Sequence, residues 1–388
     1  MAEFPKGAFE MPTITCVDDF RTLARRRIPR FAFDYLDGGA GHEIGLRRNV
    51  EAFDALKLMP RMLVNVDKID ISTTFFGRKW SMPFATAPIG AGGIMWPGGE
   101  EAIARAAVEA GIPYTNATPA CISLERVKEV AGDNAWFQLY VGRAEPMVQD
   151  LVNRAEAAGY DVMFVTVDVP VPPRRFRDLR NKFTMPFAWS PSVIWQLVQR
   201  PQWSIGTLMN GIPRFANMER YAPIKGVQPM ARYMSSQVTG KFDWDSLKRL
   251  RDRWKGKIVP KGLMSVEDCL KAKAIGCDGI VVSNHGGRQL GSLPSSIEVL
   301  PAIRAAVGKD FPLIIDSGIR SGEHIVKAIA SGADFCLLGR AVVYSVAALG
   351  KPGPTIALDM LKAEMEQVQG QIGYPTIEEL KNQSPIMR

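Results

Sequence analysis

Eight short apolar runs recur along the chain, each followed by a polar turn and then by a helical stretch that ends on glycine. They are PFATAP (83–88), PYTNA (113–117), WFQLYV (136–141), VMFVTVD (162–168), KIVPKG (257–262), GIVVSN (279–284), PLIID (312–316) and FCLLG (335–339). Most of them do not alternate apolar with polar residues, the pattern of strands buried on both faces of a parallel sheet. The intervening stretches carry helix signals. GEEAIARAAVEAG (99–111) closes on glycine, Ser265 with Asp268 reads as a capping box before a helix that stops at Gly276, and Ser321 opens one that stops at Gly332. Strand and helix in strict turn predict parallel βα units, and eight of them predict an α/β fold of the (β/α)8 TIM-barrel type. A doubly wound sheet is the competing arrangement, but GAGGIM (90–95) fails the last position of the dinucleotide fingerprint.

The alternation breaks once. Between the fourth and fifth runs lie roughly ninety residues, too many for an ordinary loop. Within them FAWSPSVIWQLVQRPQW (187–203) has three tryptophans and few charges. A lid folded over the barrel mouth is the favoured reading of this insertion; a membrane-surface or partner-binding patch is the other. The 388 residues therefore read as one unit: a helical lead-in over 1–75, a barrel over 76–350 with a lid insertion over 171–240, and a C-terminal helix and tail over 351–388.

Composition narrows the setting. No basic segment followed by an apolar run opens the sequence, and no apolar stretch approaches the ~18 residues of a membrane span, so a cytoplasmic protein is expected. The five cysteines are far apart and lack a C-x-x-C pair, which argues against disulfides or a thiolate metal site and for reduced core thiols. The net charge is +8, yet the basic residues are scattered among acids, so an anionic small molecule is a better partner than nucleic acid.

Barrel enzymes place their chemistry at the C-terminal ends of the strands. Read there, the chain presents Pro88 and Gly90, Ala117, Gln138 and Tyr140, Thr166 and Asp168, Lys261, Ser283 with His285 and Arg288, Asp316 with Arg320, and Gly339 with Arg340. DSGIRSG and LLGRA close the last two strands, where small residues and arginine suit a phosphate. Lys261 reads either as a Schiff-base nucleophile or as a fixed cation. His285 has the pKa range of a proton acceptor, Asp168 stands on another strand to orient it, and Arg288 and Arg175 suit a substrate carboxylate. His42 and His324 lack such company and read as surface residues.

SNHGGRQL, WFQLYV, VTVDVP, VPKG, DSGIR and LLGRA occur in that order, and with them the chain resembles the FMN-dependent 2-hydroxy acid dehydrogenase and oxidase family. The resemblance runs from FDYLDGGA (33–40) past the last strand. It implies FMN as cofactor, His285 as active-site base, Asp168 as its acidic partner, and Arg288 and Arg175 as the carboxylate arginines. Tyr35 and Tyr140 would contact the substrate, and Tyr140 is also assigned to the catalytic set. Lys261 would stand near the reduced flavin, with Gln138, Thr166 and Ser283 as further FMN contacts. Asp316 would reach the ribityl chain, and Gly318, Arg320, Gly339 and Arg340 the phosphate. Pro88, Ile89 and Gly90 would pass the flavin with their backbone.

The sequence departs from the pattern at Ala117, where many members have serine. Thr118 and Pro119 stand where glycolate oxidase carries a bulky aromatic, implying a roomier pocket. Pro172 and Pro173 stiffen a loop that is usually glycine-containing. Gly90 and DSGIR lean toward the lactate dehydrogenase side of the family. The implied reaction is oxidation of a lactate- or mandelate-like (S)-2-hydroxy acid to the 2-oxo acid. Electrons would then pass to a quinone or other acceptor, oxygen with hydrogen peroxide as product being the runner-up. A flavin-free lyase using Lys261 is the reading from a different class. A homotetramer completes what the resemblance implies, and the patch reading of the insertion adds a peripheral contact with the inner face of the membrane.

Overall fold

The protein is described here from a computed structural model covering residues 13–182, 190–221 and 236–387. Eight parallel strands close into a barrel in the order β10-β3-β4-β5-β6-β7-β8-β9. They are β3 (Phe84–Thr86), β4 (Tyr114–Ala117), β5 (Ala135–Tyr140), β6 (Val162–Thr166), β7 (Lys257–Leu263), β8 (Ile280–Val282), β9 (Leu313–Ile315) and β10 (Phe335–Leu338). Each falls within or against one of the apolar runs read from the sequence, and the expected helices at 99–109, 266–274 and 322–330 lie between them. Ser265 and Ser321 cap the last two by accepting the amides of Asp268 and His324, both at 3.1 Å.

The apolar runs fail to alternate because both faces of every strand are dry. Phe84, Phe137, Met163, Ile258, Ile280 and Cys336 face the surrounding helices. Their neighbours Ala85, Trp136, Phe164, Val259, Val281, Ile314 and Phe335 form a separate cluster, the filled interior of a small barrel. One element below the barrel escaped the sequence reading: an antiparallel hairpin of β1 (Thr73–Phe75) and β2 (Arg78–Trp80). It pushes Phe75 and Trp80 into the interior cluster. The Phe75 ring stacks on Phe335 at 4.7 Å and Trp80 meets Trp136 edge-on at 6.0 Å. The barrel floor is thus closed by aromatic rings, and only the opposite end is left for polar groups.

Helices Val17–Arg27, Arg30–Asp37 and Ile44–Ala55 form the lead-in, and Gly353–Ile372 and Ile377–Asn382 the C-terminal part. Part of the insertion is helical, over Pro191–Val198 and Pro201–Asn210; Trp189 lies outside the described residues. Two expectations need correction. His324 is buried rather than at the surface, stacked on Phe53 at 5.1 Å and bonded through Nε2 to Asp54 at 2.9 Å. Cys16 is exposed and Cys121 half-buried, so only Cys269, Cys277 and Cys336 are core thiols.

Trp136 touches the hairpin and the barrel interior together. Trp136→Ala is expected to cost about 3–5 kcal/mol from the cavity it leaves, read as a lower denaturant midpoint with an unchanged slope.

Candidate active site

Two residues further up each strand, the inward face turns polar. Trp136 gives way to Gln138, Phe164 to Thr166, Val259 to Lys261, Val281 to Ser283 and Ile314 to Asp316, while Leu337 is followed by Gly339. Most of these residues line one cleft, together with Tyr35, His285, Arg288, Arg175 and Arg320.

On its floor the Lys261 ammonium is buried, 2.8 Å from Asp316 Oδ2 and donating to Ser283 Oγ at 3.0 Å. Burial opposes the charge, but Asp316 and Asp168 outweigh it and raise the lysine above its ordinary value. Lys261 is therefore a permanent cation, which disfavours the Schiff-base reading, since that chemistry needs a free amine. Beside it Gln138 Nε2 donates to Thr166 Oγ1 at 2.8 Å.

His285 stands above this floor. Its backbone adopts a left-handed conformation (φ 59°), a strain that persists where surrounding bonds over-determine it. Ser283 Oγ accepts the His285 amide at 3.0 Å, and Asn284 Oδ1 accepts that of Gly287 at 3.1 Å. Asn284 is in turn locked to Asn49 of the lead-in by two reciprocal amide bonds of 2.6 and 2.8 Å. The ring is held by Asp168 Oδ1 at Nδ1 (2.9 Å) and by the Tyr140 hydroxyl at Nε2 (3.1 Å).

Burial lowers the His285 pKa, and the adjacent Asp168 restores only part of it. Asp168 is itself pushed up by burial, but His285 and Lys261 more than reverse this and leave it below its ordinary value. At neutral pH the pair is an ionised carboxylate and a neutral ring. Such a carboxylate only accepts, so the proton sits on Nδ1 and the Nε2 lone pair faces Tyr140.

Room for Asp168 comes from Gly262, at an irregularity in the β7–β8 register. A Cβ on Gly262 (φ 114°) would lie 2.5 Å from Cβ and Cγ of Asp168. Neither Gly262 nor Asn49 carries a signal in the sequence. Gly262 looks like a strand ending, and Asn49 is one polar position in a helix 235 residues before its partner.

Arg288 and Arg175 flank the Tyr35 ring, their guanidinium carbons 4.8 and 5.9 Å from its centroid. Arg288 donates to the carbonyls of Tyr35 (2.6 Å) and Gly38 (3.0 Å), and burial pulls its pKa down to about 10. Arg175 has Asp178 as a weak partner at 3.4 Å, and burial raises that carboxyl. Two cations with one poorly held counter-charge leave this wall electropositive.

At the other end of the cleft lie Gly318, Gly339 and Arg320. Arg320 donates to the carbonyl of its neighbour Ile319 at 2.8 Å, and no carboxylate pairs with it among the described residues. Helix Arg340–Leu349 starts here with Gly339 as its N-cap, bringing unpaired backbone amides to the same spot. The Arg340 side chain lies differently from its expected place on a phosphate. It donates to the carbonyls of Leu36, Gly286 and Gly38 at 2.7 to 2.9 Å and ties the lead-in to the His285 turn.

Pro88, Ile89 and Gly90 line the first-strand side of the cleft with Ala117 and Pro119. Thr118, expected beside Pro119 in the pocket, is turned away: its hydroxyl donates to the Gln138 carbonyl at 2.7 Å and accepts the Tyr140 amide at 3.0 Å.

Fold and cleft together describe a barrel enzyme with an anion-binding end, a cationic floor and a proton-accepting end. The chain belongs to the FMN-dependent dehydrogenase family, whose model matches residues 24–386. It is 40% identical over 364 residues to (S)-mandelate dehydrogenase of Pseudomonas putida, covering 94% of this chain and 92% of that protein. It is 39% identical over 375 residues to L-lactate dehydrogenase of Xanthobacter autotrophicus, 96% of each. Among solved structures it is similar to monotopic membrane protein (S)-mandelate dehydrogenase, with a TM-score of 0.92, 38% identity, and 97% and 99% of the two chains covered. A mandelate oxidase structure matches with a TM-score of 0.81 at 35% identity, over 95% and 97%. FMN is its cofactor, and the cleft fits it: an arginine without a carboxylate and a helix start suit the phosphate, and the buried Lys261 suits an electron-rich ring.

The His285 ring is expected to titrate below 6.5 by NMR, and Asp168→Asn is expected to lower it further, because the carboxylate is what pulls it up. A value above 6.5 in the wild type would contradict the electrostatics described.

Proposed function

We propose that the protein oxidises an (S)-2-hydroxy acid to the 2-oxo acid and passes the electrons to a quinone-type acceptor. The observation that carries this reading is the Asp168–His285–Tyr140 chain standing beside the Arg288–Arg175 wall. Arg288 and Arg175 bind the substrate carboxylate through charge-assisted hydrogen bonds. That contact turns the carbinol toward His285. Nε2 accepts the proton that leaves the substrate, and ionised Asp168 stabilises the imidazolium. Tyr140, with its pKa raised by burial and by Asp168, stays a neutral hydroxyl that can donate to the substrate oxygen. FMN bound here would supply the two-electron acceptor, receiving the electron pair and the second hydrogen of the carbinol while His285 holds the first proton. Lys261, Gln138 and Thr166 would hold its ring, Asp316 the ribityl chain, and Arg320 with the amides at Gly339 and Arg340 the phosphate.

The side-chain end of the pocket is made by small and apolar groups, Ala87, Gly90, Met95, Ala117 and Pro119, which favours a bulky, mandelate-like acid over lactate. That relatives include proteins named mandelate and lactate dehydrogenases supports the reading. Anaerobic bleaching of the flavin spectrum by a panel from lactate to mandelate tests it: bleaching strongest with the aryl acid is expected, and none with any acid overturns it. His285→Gln is expected to keep FMN yet lose about 10²–10⁴-fold in kcat. Arg288→Met is expected to raise KM about 10–100-fold, the worth of a charge-assisted bond.

The insertion supports a membrane-bound site of action. Val193 and Trp203 pack inward, the Trp203 indole donating to the Ile94 carbonyl at 2.8 Å. Ile194, Trp195, Val198, Ile205, Leu208 and Met209 are exposed, Leu208 at 83% and Met209 at 81%. The insertion is thus both a lid and an apolar outer face, the shape of a segment that lies in a bilayer interface. No helix among the described residues is long and apolar enough to cross a membrane. Leu208→Glu with Met209→Glu should abolish co-sedimentation with lipid vesicles while leaving turnover with a soluble dye acceptor intact.

A further inference from the structure

One buried acid has no part in the chemistry above. Glu100 opens helix Gly99–Glu109 and is 4% exposed. Among the described residues it has no cationic partner. Its Oε1 accepts the amide of Gly92 at 2.8 Å, and the amides of Cys121, Ile122 and Gly93 favour its ionised form. These amides belong to two different segments: the stretch after β3 supplies Gly92 and Gly93, which open the short helix Gly92–Met95, and the loop after β4 supplies Cys121 and Ile122. One carboxylate therefore joins the first two loops of the barrel mouth.

The two loops meet at close range wherever they touch. Ala91 donates to the Pro119 carbonyl at 2.8 Å. A Cβ on Gly90 would lie 2.8 Å from the Pro119 ring, one on Gly93 would lie 2.8 Å from Cys121 Cβ, and one on Gly92 would lie 2.6 Å from Glu100 Cγ. Glycine at these positions lets backbone pack on backbone, and the carboxylate takes up the amides that this packing leaves pointing inward. The outward side of the same seam is covered by the insertion, through Trp203 on Ile94 and the Ala216 amide on the Ala120 carbonyl at 3.0 Å. The inward side of the seam is the pocket wall formed by Gly90, Met95, Ala117 and Pro119.

We propose that Glu100 is a positioning residue for substrate selection: its buried carboxylate clamps the loops after β3 and β4, fixing Gly90 against Pro119 and so setting the depth of the pocket that receives the substrate side chain. The buried amides that converge here need acceptors: an apolar side chain would leave them unpaired, and a neutral amide would turn donors on some of them. A carboxylate offers up to four acceptor sites and no donor, which is what converging amides from two loops require. Burial pushes the Glu100 carboxyl up, and the surrounding amides oppose that shift by favouring its ionised form. Glu100 does not line the cleft and acts through Gly90 and Pro119, which do. The proposal rests on the 2-hydroxy acid reading for the identity of what enters the pocket.

The test is Glu100→Gln in the FMN-loaded protein, assayed on a series of 2-hydroxy acids of increasing side chain from lactate to mandelate. Glutamine keeps the volume but turns an NH2 toward amide donors. The expected result is unchanged flavin content and a kcat on lactate within about 2-fold, with the mandelate-to-lactate ratio of kcat/KM shifted 10-fold or more. Gly92→Ala leaves Glu100 in the chain but drives a methyl into its Cγ, and it should move the ratio in the same direction. Because these residues share one contact, the double variant should add little to either single change. An unchanged ratio in both variants, an equal loss on every acid, or failure of both to fold would each overturn the positioning role and leave Glu100 a stability residue. A wild-type protein that no acid in the series reduces would instead remove the 2-hydroxy acid reading itself.

Discussion

A closed barrel of eight strands has one interior, and its contents are decided by which residues of each strand point inward. Here that interior is divided by a single two-residue step. Below it Trp136, Phe164, Val259, Val281, Ile314 and Phe335 fill the space with help from the hairpin rings of Phe75 and Trp80. Above it the same faces carry Gln138, Thr166, Lys261, Ser283 and Asp316. A polar layer of this kind would be costly if dispersed through a core. Stacked on a floor already packed with aromatic rings, it is exposed on one side only, and its members satisfy each other: Gln138 with Thr166, Lys261 with Asp316 and Ser283.

The second organising element is the lead-in. Its backbone, at Tyr35, Leu36 and Gly38, accepts the guanidinium groups of Arg288 and Arg340. Asp37 receives Arg21, Arg177 and the Tyr344 hydroxyl, bonds that overcome its burial and hold its carboxyl far below the usual range. Asn49 fixes the turn that carries His285. The N-terminal helices therefore complete the mouth of a barrel to which they contribute no strand. They bring Tyr35 to Arg288 and Arg175 and tie the His285 turn to the start of helix Arg340–Leu349.

The insertion is fastened to the barrel along one face. Asn217, fully buried, accepts the Leu124 amide at 2.7 Å and donates to Asn116 Oδ1 at 3.0 Å, fastening the segment beneath the end of β4. Trp203 fastens it to the loop after β3. With one face committed to the barrel, the apolar residues on the opposite face are left without protein partners among the described residues. That is why the tryptophan-rich stretch reads ambiguously in the sequence: Trp203 is buried against the barrel and Trp195 is exposed, and residue type alone does not separate them.

What the sequence determined by itself was set by local pattern. Unalternating runs of strand length, glycine-ended helices and polar residues at the run ends specify a parallel barrel, and the end positions name Lys261, His285, Asp168, Arg288 and Asp316 before any coordinates. Only the tertiary structure decided the rest, because it depends on contacts between residues far apart in the chain. His324 looks exposed beside its capping serine, yet Phe53 and Asp54 of the lead-in cover it. Arg340 looks like a phosphate ligand, yet three carbonyls from the lead-in and the His285 turn claim its side chain. Glu100 looks like an ordinary first-turn helix acid, yet two loops close over it. Gly262 looks like the end of a strand, yet it makes the space for Asp168. Periodicity reports which face of an element is dry; it carries no information on which distant backbone will meet that face, and those meetings fix the geometry of this site.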